Sequence, residues 1–444
     1  MTKHRQWLQQ ELNGWVADGL IQKEQAEAIR ARYPPAAAGL PWGMIIFSSL
    51  GGVIIGLGVI LLFAYNWHAI PKFGKLALVA AALIAAHAVG IRLFLKSERF
   101  RTVGEAVCLL GTMFFGAGIW LVAQIYHIQE HFPNAFLIWG LGALVLAWAL
   151  PSMTHAALAA VLFTVWCGTE GMTFESPMHA GPLLILLLLG PLVLWKRSRF
   201  LLVVLIPAFV LSLLFAAVAT AAHADERIGF AMLLNLGALL VAAGLLTQRT
   251  RRFPEFAPIF SFFGWGLYLV LLYILTFPGT IHETLYCRPE HWSTYIAYWL
   301  VPLVVCLATW AMVAHQAIVT RRGLGTMAIP LESFLVPLSV VLSLYAMFAS
   351  QADRELRWEA AGPFNLVFLA LAVSLMARGC RRALLWPTVT GSLLLVVLVL
   401  SRYADLFASL FVRGLIFILI GALIFAEGVF YARARRHPKE EVQP

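Results

Sequence analysis

The sequence predicts an all-α polytopic integral membrane protein of about fourteen (12–14) transmembrane helices, preceded by a small N-terminal cytoplasmic helical hairpin. Three observations predict it. Of the 444 residues, 61% are hydrophobic and only 12% are charged, about half the roughly 25% typical of soluble domains. The apolar residues fall in long uncharged runs, which are bilayer spans when they approach ~20 residues. The basic residues fall in short clusters between those runs. The net charge of +10 therefore reads as loop charge at one membrane face, and nucleic acid is not an expected partner. The lipid bilayer is.

Residues 1–40 are polar and carry no cleavable signal pattern. Leu8, Leu12, Trp15 and Val16 lie at helical spacing, and Asp18-Gly19 breaks the pattern. A second helix runs through Ala26 and Ile29 until Pro34-Pro35. Two helices this short bury little alone, so residues 1–36 are expected to dock on the membrane domain or on a membrane or cytoplasmic protein partner. Trp15, Leu20 and Ile29 are expected in their small apolar core or docking face.

The spans are expected near 42–66, 75–95, 104–126, 134–151, 154–168, 181–195, 199–221, 228–247, 256–278, 294–317, 330–349, 361–377, 383–400 and 409–431. The first four, residues 41–151, form one unit; residues 152–444 hold the remaining bundle and a basic tail. The fifth and sixth are short for a crossing, and a re-entrant pair there would reduce the count to twelve. With the N-terminus in the cytoplasm, 24 of the 32 Lys and Arg residues fall on the inner side. That asymmetry predicts cytoplasmic termini.

Spans one and three share their punctuation. Gly51–His68 and Gly111–His127 each carry a mid-span G-x-G (Gly56/Gly58 and Gly116/Gly118), and each ends in amide, aromatic and histidine. Tyr65, Asn66, Trp67 and His68 of one, with Gln124, Tyr126 and His127 of the other, form a candidate outer polar-aromatic cluster. Two readings stand. The aromatic rings make a headgroup belt facing lipid, or Asn66, Gln124 and Tyr126 turn inward and line a cavity open to the outer face.

Four segments also resemble a known family in order: Trp15–Tyr33, A-Y-N-W (Ala64–Trp67), G-E-A (Gly104–Ala106) and A-Q-I-Y-H (Ala123–His127). They resemble the bacterial membrane proteins of domain-of-unknown-function family 2157 over roughly residues 8–150. The resemblance implies a bacterial cytoplasmic (inner) membrane location. It supplies no catalytic residues.

Ionisable residues inside spans are costly and point to function by default. His87 reads as a proton relay or ligand, or as a neutral imidazole hydrogen-bonded to a neighbouring helix. Glu105 reads as the cap of span three, Glu427 as a snorkelling partner of the tail arginines. Outer-face Arg354, Arg357, Arg402 and Arg413 could hold a lipid diphosphate. Pro302, Pro337 and Pro387, with Gly190-Pro191, mark kinks or the broken helices of transporters. The five scattered cysteines and the histidine spacing offer no metal site, and no cofactor is expected. No P-loop, dinucleotide fingerprint, H-E-x-x-H or G-x-S-x-G occurs, so enzyme status stays open. Three functions fit: a transporter or flippase for a small or lipid-linked envelope compound, a non-catalytic scaffold or accessory subunit, and a membrane-embedded transferase acting on a lipid-linked substrate.

Overall fold

The computed structural model describes residues 2–32, 70–128, 131–174, 180–224, 229–250, 253–285, 292–321, 331–352 and 357–406, with 418, 421, 422, 425 and 426 beyond them. The expected first span and nearly all of the last lie outside the described residues. The chain divides into two units, Met1–Leu78 and Val79–Pro444.

In the first unit, α1 (Thr2–Ala17) and α2 (Lys23–Arg32) flank a tight turn. Gly19 takes φ +71; its N–H donates to the Val16 carbonyl and that of Leu20 to the Trp15 carbonyl. This double bond around a left-handed glycine is how helices stop. At the start of α2, the Gln22 N–H donates to Gln25 Oε1 at 2.9 Å, satisfying an otherwise orphaned terminal donor. Leu12 and Ala26 are fully buried, and the Arg30 guanidinium donates to Asn13 Oδ1. Leu20 is not in that core: it is 71% exposed, carried outward by the turn.

Next come α3 (Lys72–Lys96), which begins in the first unit, α4 (Glu98–Ile125), α5 (Pro133–Ala149), α6 (Met153–Thr173), α7 (Ala180–Lys196), α8 (Arg199–Ala224), α9 (Gly229–Thr250) and α10 (Ala257–Leu275). They are followed by α11 (Pro278–Thr284), α12 (Trp292–Arg321), α13 (Leu335–Ala352), α14 (Arg357–Arg382) and α15 (Leu385–Leu406). The described residues contain no strand. Eight of their helices are long and apolar enough to cross a membrane, and four shorter apolar stretches lie in α5, α7, α12 and α13. Every backbone polar group in hydrocarbon must be satisfied internally, which is why the apolar runs emerge as helices.

Two differences from the sequence reading concern the course of the helices. First, α6 runs on to Thr173 and is itself long enough to cross, whereas the pattern ended at 168. Glu170 follows the apolar run and looks like loop, but it lies within the helix. Second, Pro337 and Pro387 lie in the first turns of α13 and α15, where proline costs no helical hydrogen bond. Pro191, Pro207, Pro302 and Pro363 are internal, yet each helix continues through them.

Among the described residues, two large cores and a small cluster of Ala372, Met376 and Leu395 fill the second unit. Ala159, Phe163, Ile185, Leu189 and Leu201 pack α6, α7 and α8 together. Leu234, Tyr268, Leu272, Val340, Phe364 and Phe368 gather α9, α10, α13 and α14. Polar side chains stitch the second core: Ser339 Oγ donates to the Tyr268 hydroxyl at 3.0 Å, and Trp310 Nε1 donates to the Ala238 carbonyl at 3.1 Å. Small residues let helices approach closely. A Cβ added at Gly264 of α10 would lie 2.6 Å from the Val241 nitrogen of α9.

Candidate functional site

α4 begins at Glu98, after Ser97, so Glu105 lies two turns inside the helix and does not cap it. The carboxylate instead reaches the junction between α5 and α6. Ser152 Oγ donates to Glu105 Oε1 at 2.5 Å, and Thr154 Oγ1 donates to the same oxygen at 2.8 Å. Ser152 is also the N-cap of α6: its Oγ accepts the His155 N–H at 3.3 Å, a standard role for serine before a helix. The same Oγ lies 2.8 Å from His155 Nδ1. His155 is fully buried. Its Nε2 faces the Cys108 carbonyl of α4 but makes no well-aligned hydrogen bond. Carboxylate, two hydroxyls and imidazole thus form one connected network between two helices long and apolar enough to cross a membrane. Such a chain can hold or pass a proton, or bind a polar group at a membrane face.

His87 stands beside this network. Its Nδ1 lies 2.9 Å from the Leu83 carbonyl of its own helix, and its ring packs where a Cβ on Gly111 would be. The neighbouring-helix hydrogen bond that the sequence allowed is thus replaced by an intrahelical one.

A second network was not legible in the sequence. Glu170, in the last turn of α6, is 0% exposed. Its Oε1 lies 2.7 Å from His131 Nε2 and accepts from Trp166 Nε1 at 3.2 Å. His131, 42% exposed at the side chain, precedes α5 with φ +42, and its ring packs on Phe174 at 4.6 Å. Pairing residues 39 apart leaves no local spacing to read.

Of the outer cluster, Tyr65, Asn66, Trp67 and His68 lie outside the described residues. Gln124, Tyr126 and His127 are all exposed, at the end of α4 and just beyond it. Glu427, Arg354 and Arg413 also lie outside the described residues, and Arg357 is the first residue of α14. Arg402 is not offered to lipid: it is 4% exposed. Its Nη2 donates to Thr276 Oγ1 at 2.7 Å and its Nε to Asn365 Oδ1 at 3.2 Å. The guanidinium lies 4.1 Å over the Phe277 ring. Asn365 completes the lock by donating to the Thr276 and Ala361 carbonyls. Arg402 therefore ties α15 to α14 and the end of α10.

No curated protein and no solved structure matches the chain. Residues 13–156, which hold His87 and the whole Glu105–Ser152–Thr154–His155 network, match the family model described as Predicted membrane protein (DUF2157).

Proposed function

We propose that this membrane protein is a transporter or flippase for a small or lipid-linked envelope compound. It would sit in a bacterial inner membrane with about fourteen (12–14) spans, both termini cytoplasmic and residues 1–40 as a cytoplasmic hairpin. The observation that carries the reading is the Glu105–Ser152–Thr154–His155 network, an ionisable cluster drawn from two helices long and apolar enough to cross the bilayer. A membrane protein that serves only as a frame has no need of such a cluster, because buried polar networks cost more than apolar packing unless fully satisfied. The outer polar-aromatic cluster supplies the cargo entrance in this reading, with Asn66, Gln124 and Tyr126 lining it. The transferase reading is weakened, since Arg402 is already engaged by protein groups. The scaffold reading keeps one observation in its favour, the exposed Leu20 at the tip of the α1–α2 turn.

The test is transport in proteoliposomes loaded with fluorescent lipid-linked and small anionic reporters. Wild-type protein should move at least one reporter. Glu105→Gln and His155→Ala should slow that movement at least about tenfold while the protein stays folded and monodisperse. If no reporter moves, or movement is indifferent to both substitutions, the transport reading fails and the scaffold reading replaces it.

A further inference from the structure

The turn between α7 and α8 gathers groups that neither polar network uses. α7 ends in Leu194-Trp195-Lys196, and α8 begins with Arg199-Phe200. Both helix ends are closed by the protein itself. The Ser198 N–H donates to the Val193 carbonyl at 3.3 Å, and Ser198 Oγ accepts the Leu201 N–H at 3.2 Å, as a cap does. Arg197 reverses the chain at φ +48. Its guanidinium lies 5.0 Å from the Phe253 ring centre, and its Nε lies 3.9 Å from Glu255 Oε1. Near the end of α5, Trp148 Nε1 donates to the Leu188 carbonyl at 3.0 Å. That bond orients its ring, which stacks on Trp195 with centroids 6.2 Å apart. Lys196 Nζ lies 4.5 Å from the centre of the Trp195 ring. Lys196 and Arg199 are exposed, and no carboxylate among the described residues forms an ion pair with either. Leu194, Trp195 and Phe200 are each more than half exposed. Within seven residues, a turn with both helix ends bonded thus presents cations and large apolar side chains together.

We infer that this turn binds an acidic phospholipid, with Lys196 and Arg199 on the phosphate and the Trp148–Trp195 stack against the glycerol and upper acyl chains. Charge and apolar surface select that occupant jointly. A soluble anion would satisfy the two cations and leave the rings uncovered. A lipid without net charge would cover the rings and leave the cations without a counter-charge. An anionic amphiphile meets both needs. In an ordinary aromatic belt with snorkelling lysines, the ammonium reaches away from the rings into water. Here it stays over the Trp195 face in a cation–π contact, beside the apolar surface that a lipid would touch. Basic groups at a membrane face attract acidic headgroups, and a guanidinium adds paired donors for phosphate oxygens. The site requires a bilayer but not the transport reading, and it uses no residue of the Glu105 network.

Native mass spectrometry of the full chain, released from detergent carrying equal amounts of phosphatidylglycerol and phosphatidylcholine, tests the site. Wild-type protein should retain phosphatidylglycerol over phosphatidylcholine by at least about fivefold, the factor that one cation at a membrane surface supplies. Lys196→Gln with Arg199→Gln should remove that preference, and Lys196→Arg with Arg199→Lys should keep it. The same loss of charge at the α14–α15 turn, Arg381→Gln with Arg382→Gln, should leave it in place. Trp195→Leu should lower phosphatidylglycerol retention, and excess inorganic phosphate should not displace the lipid. No preference in the wild type, or equal loss from the two glutamine pairs, overturns the site, because charge at any turn would then suffice. Unchanged retention in Trp195→Leu, or displacement by phosphate, makes the occupant a soluble anion and overturns the phospholipid. None of these readouts requires a cargo, so a lipid preference in protein that moves no reporter would count against the transport reading alone.

Discussion

Ser152 does two jobs with one oxygen. It caps α6 and bridges Glu105 to His155. Losing a cap costs about 0.5–2 kcal/mol, and stranding a partly buried carboxyl costs about 1–3 kcal/mol more. Ser152→Ala should therefore lower thermal stability in detergent clearly, and Ser152→Thr, which keeps the hydroxyl, should recover most of it. A double-mutant cycle with Glu105→Ala should show coupling of about 0.5–3 kcal/mol, as residues sharing one network do; additive losses would mean that the two do not interact. Arg402 makes a similar case. Arg402→Lys keeps the charge but loses the planar fork and the stack on Phe277, so it should destabilise by about 2–3 kcal/mol and not pass as conservative. Sequence alone picked out Glu105 because a carboxylate in an apolar run needs a reason. It could not find the partners, which lie 47 and 49 residues away, and so it read Glu105 as a cap. Arg402 was legible as a cation near a span end. Its burial was not, because Thr276 and Asn365 come from elements 126 and 37 residues earlier.

Two glycines on α10 separate packing from mere flexibility. A methyl at Gly264 would collide with the α9 backbone, while nothing lies within 4 Å of one at Gly266. Gly264→Ala should cost about 1–3 kcal/mol. Gly266→Ala should be neutral or slightly stabilising, since alanine is the better helix former. Thermal melting of both variants in one detergent checks the pair; equal shifts would mean that α9 and α10 do not meet at this seam. At this scale the sequence was informative about where apolar runs begin and end, because hydrocarbon leaves the backbone little choice but helix. It misjudged α6, whose last turns carry Glu170 and Gly171. A buried carboxyl whose partner is a distant histidine looks, by composition, like the start of a loop. It also placed Pro337 and Pro387 inside spans, as kinks or breaks, because helix starts set by tertiary packing are not written in hydropathy.

For the whole molecule, orientation is the proposal that labelling can decide. Cysteines replacing Ser176 and Glu283 should react with an impermeant thiol reagent in intact cells, and one replacing Gln248 should not; labelling at 248 would invert the topology. Deleting residues 1–36 should leave an inserted protein, since the apolar helices from Lys72 onward carry insertion. The Glu105–Ser152 bond also bears on how the chain is made. The carboxyl is synthesised 47 residues before its hydroxyl partner. At roughly 5–20 residues per second, α4 must wait about 2–10 s for its partner. During that interval Glu105 has neither Ser152 nor Thr154 to bond. It must stay near water or in the keeping of the insertion machinery, and α4 can settle at its final depth only once the first turn of α6 has emerged.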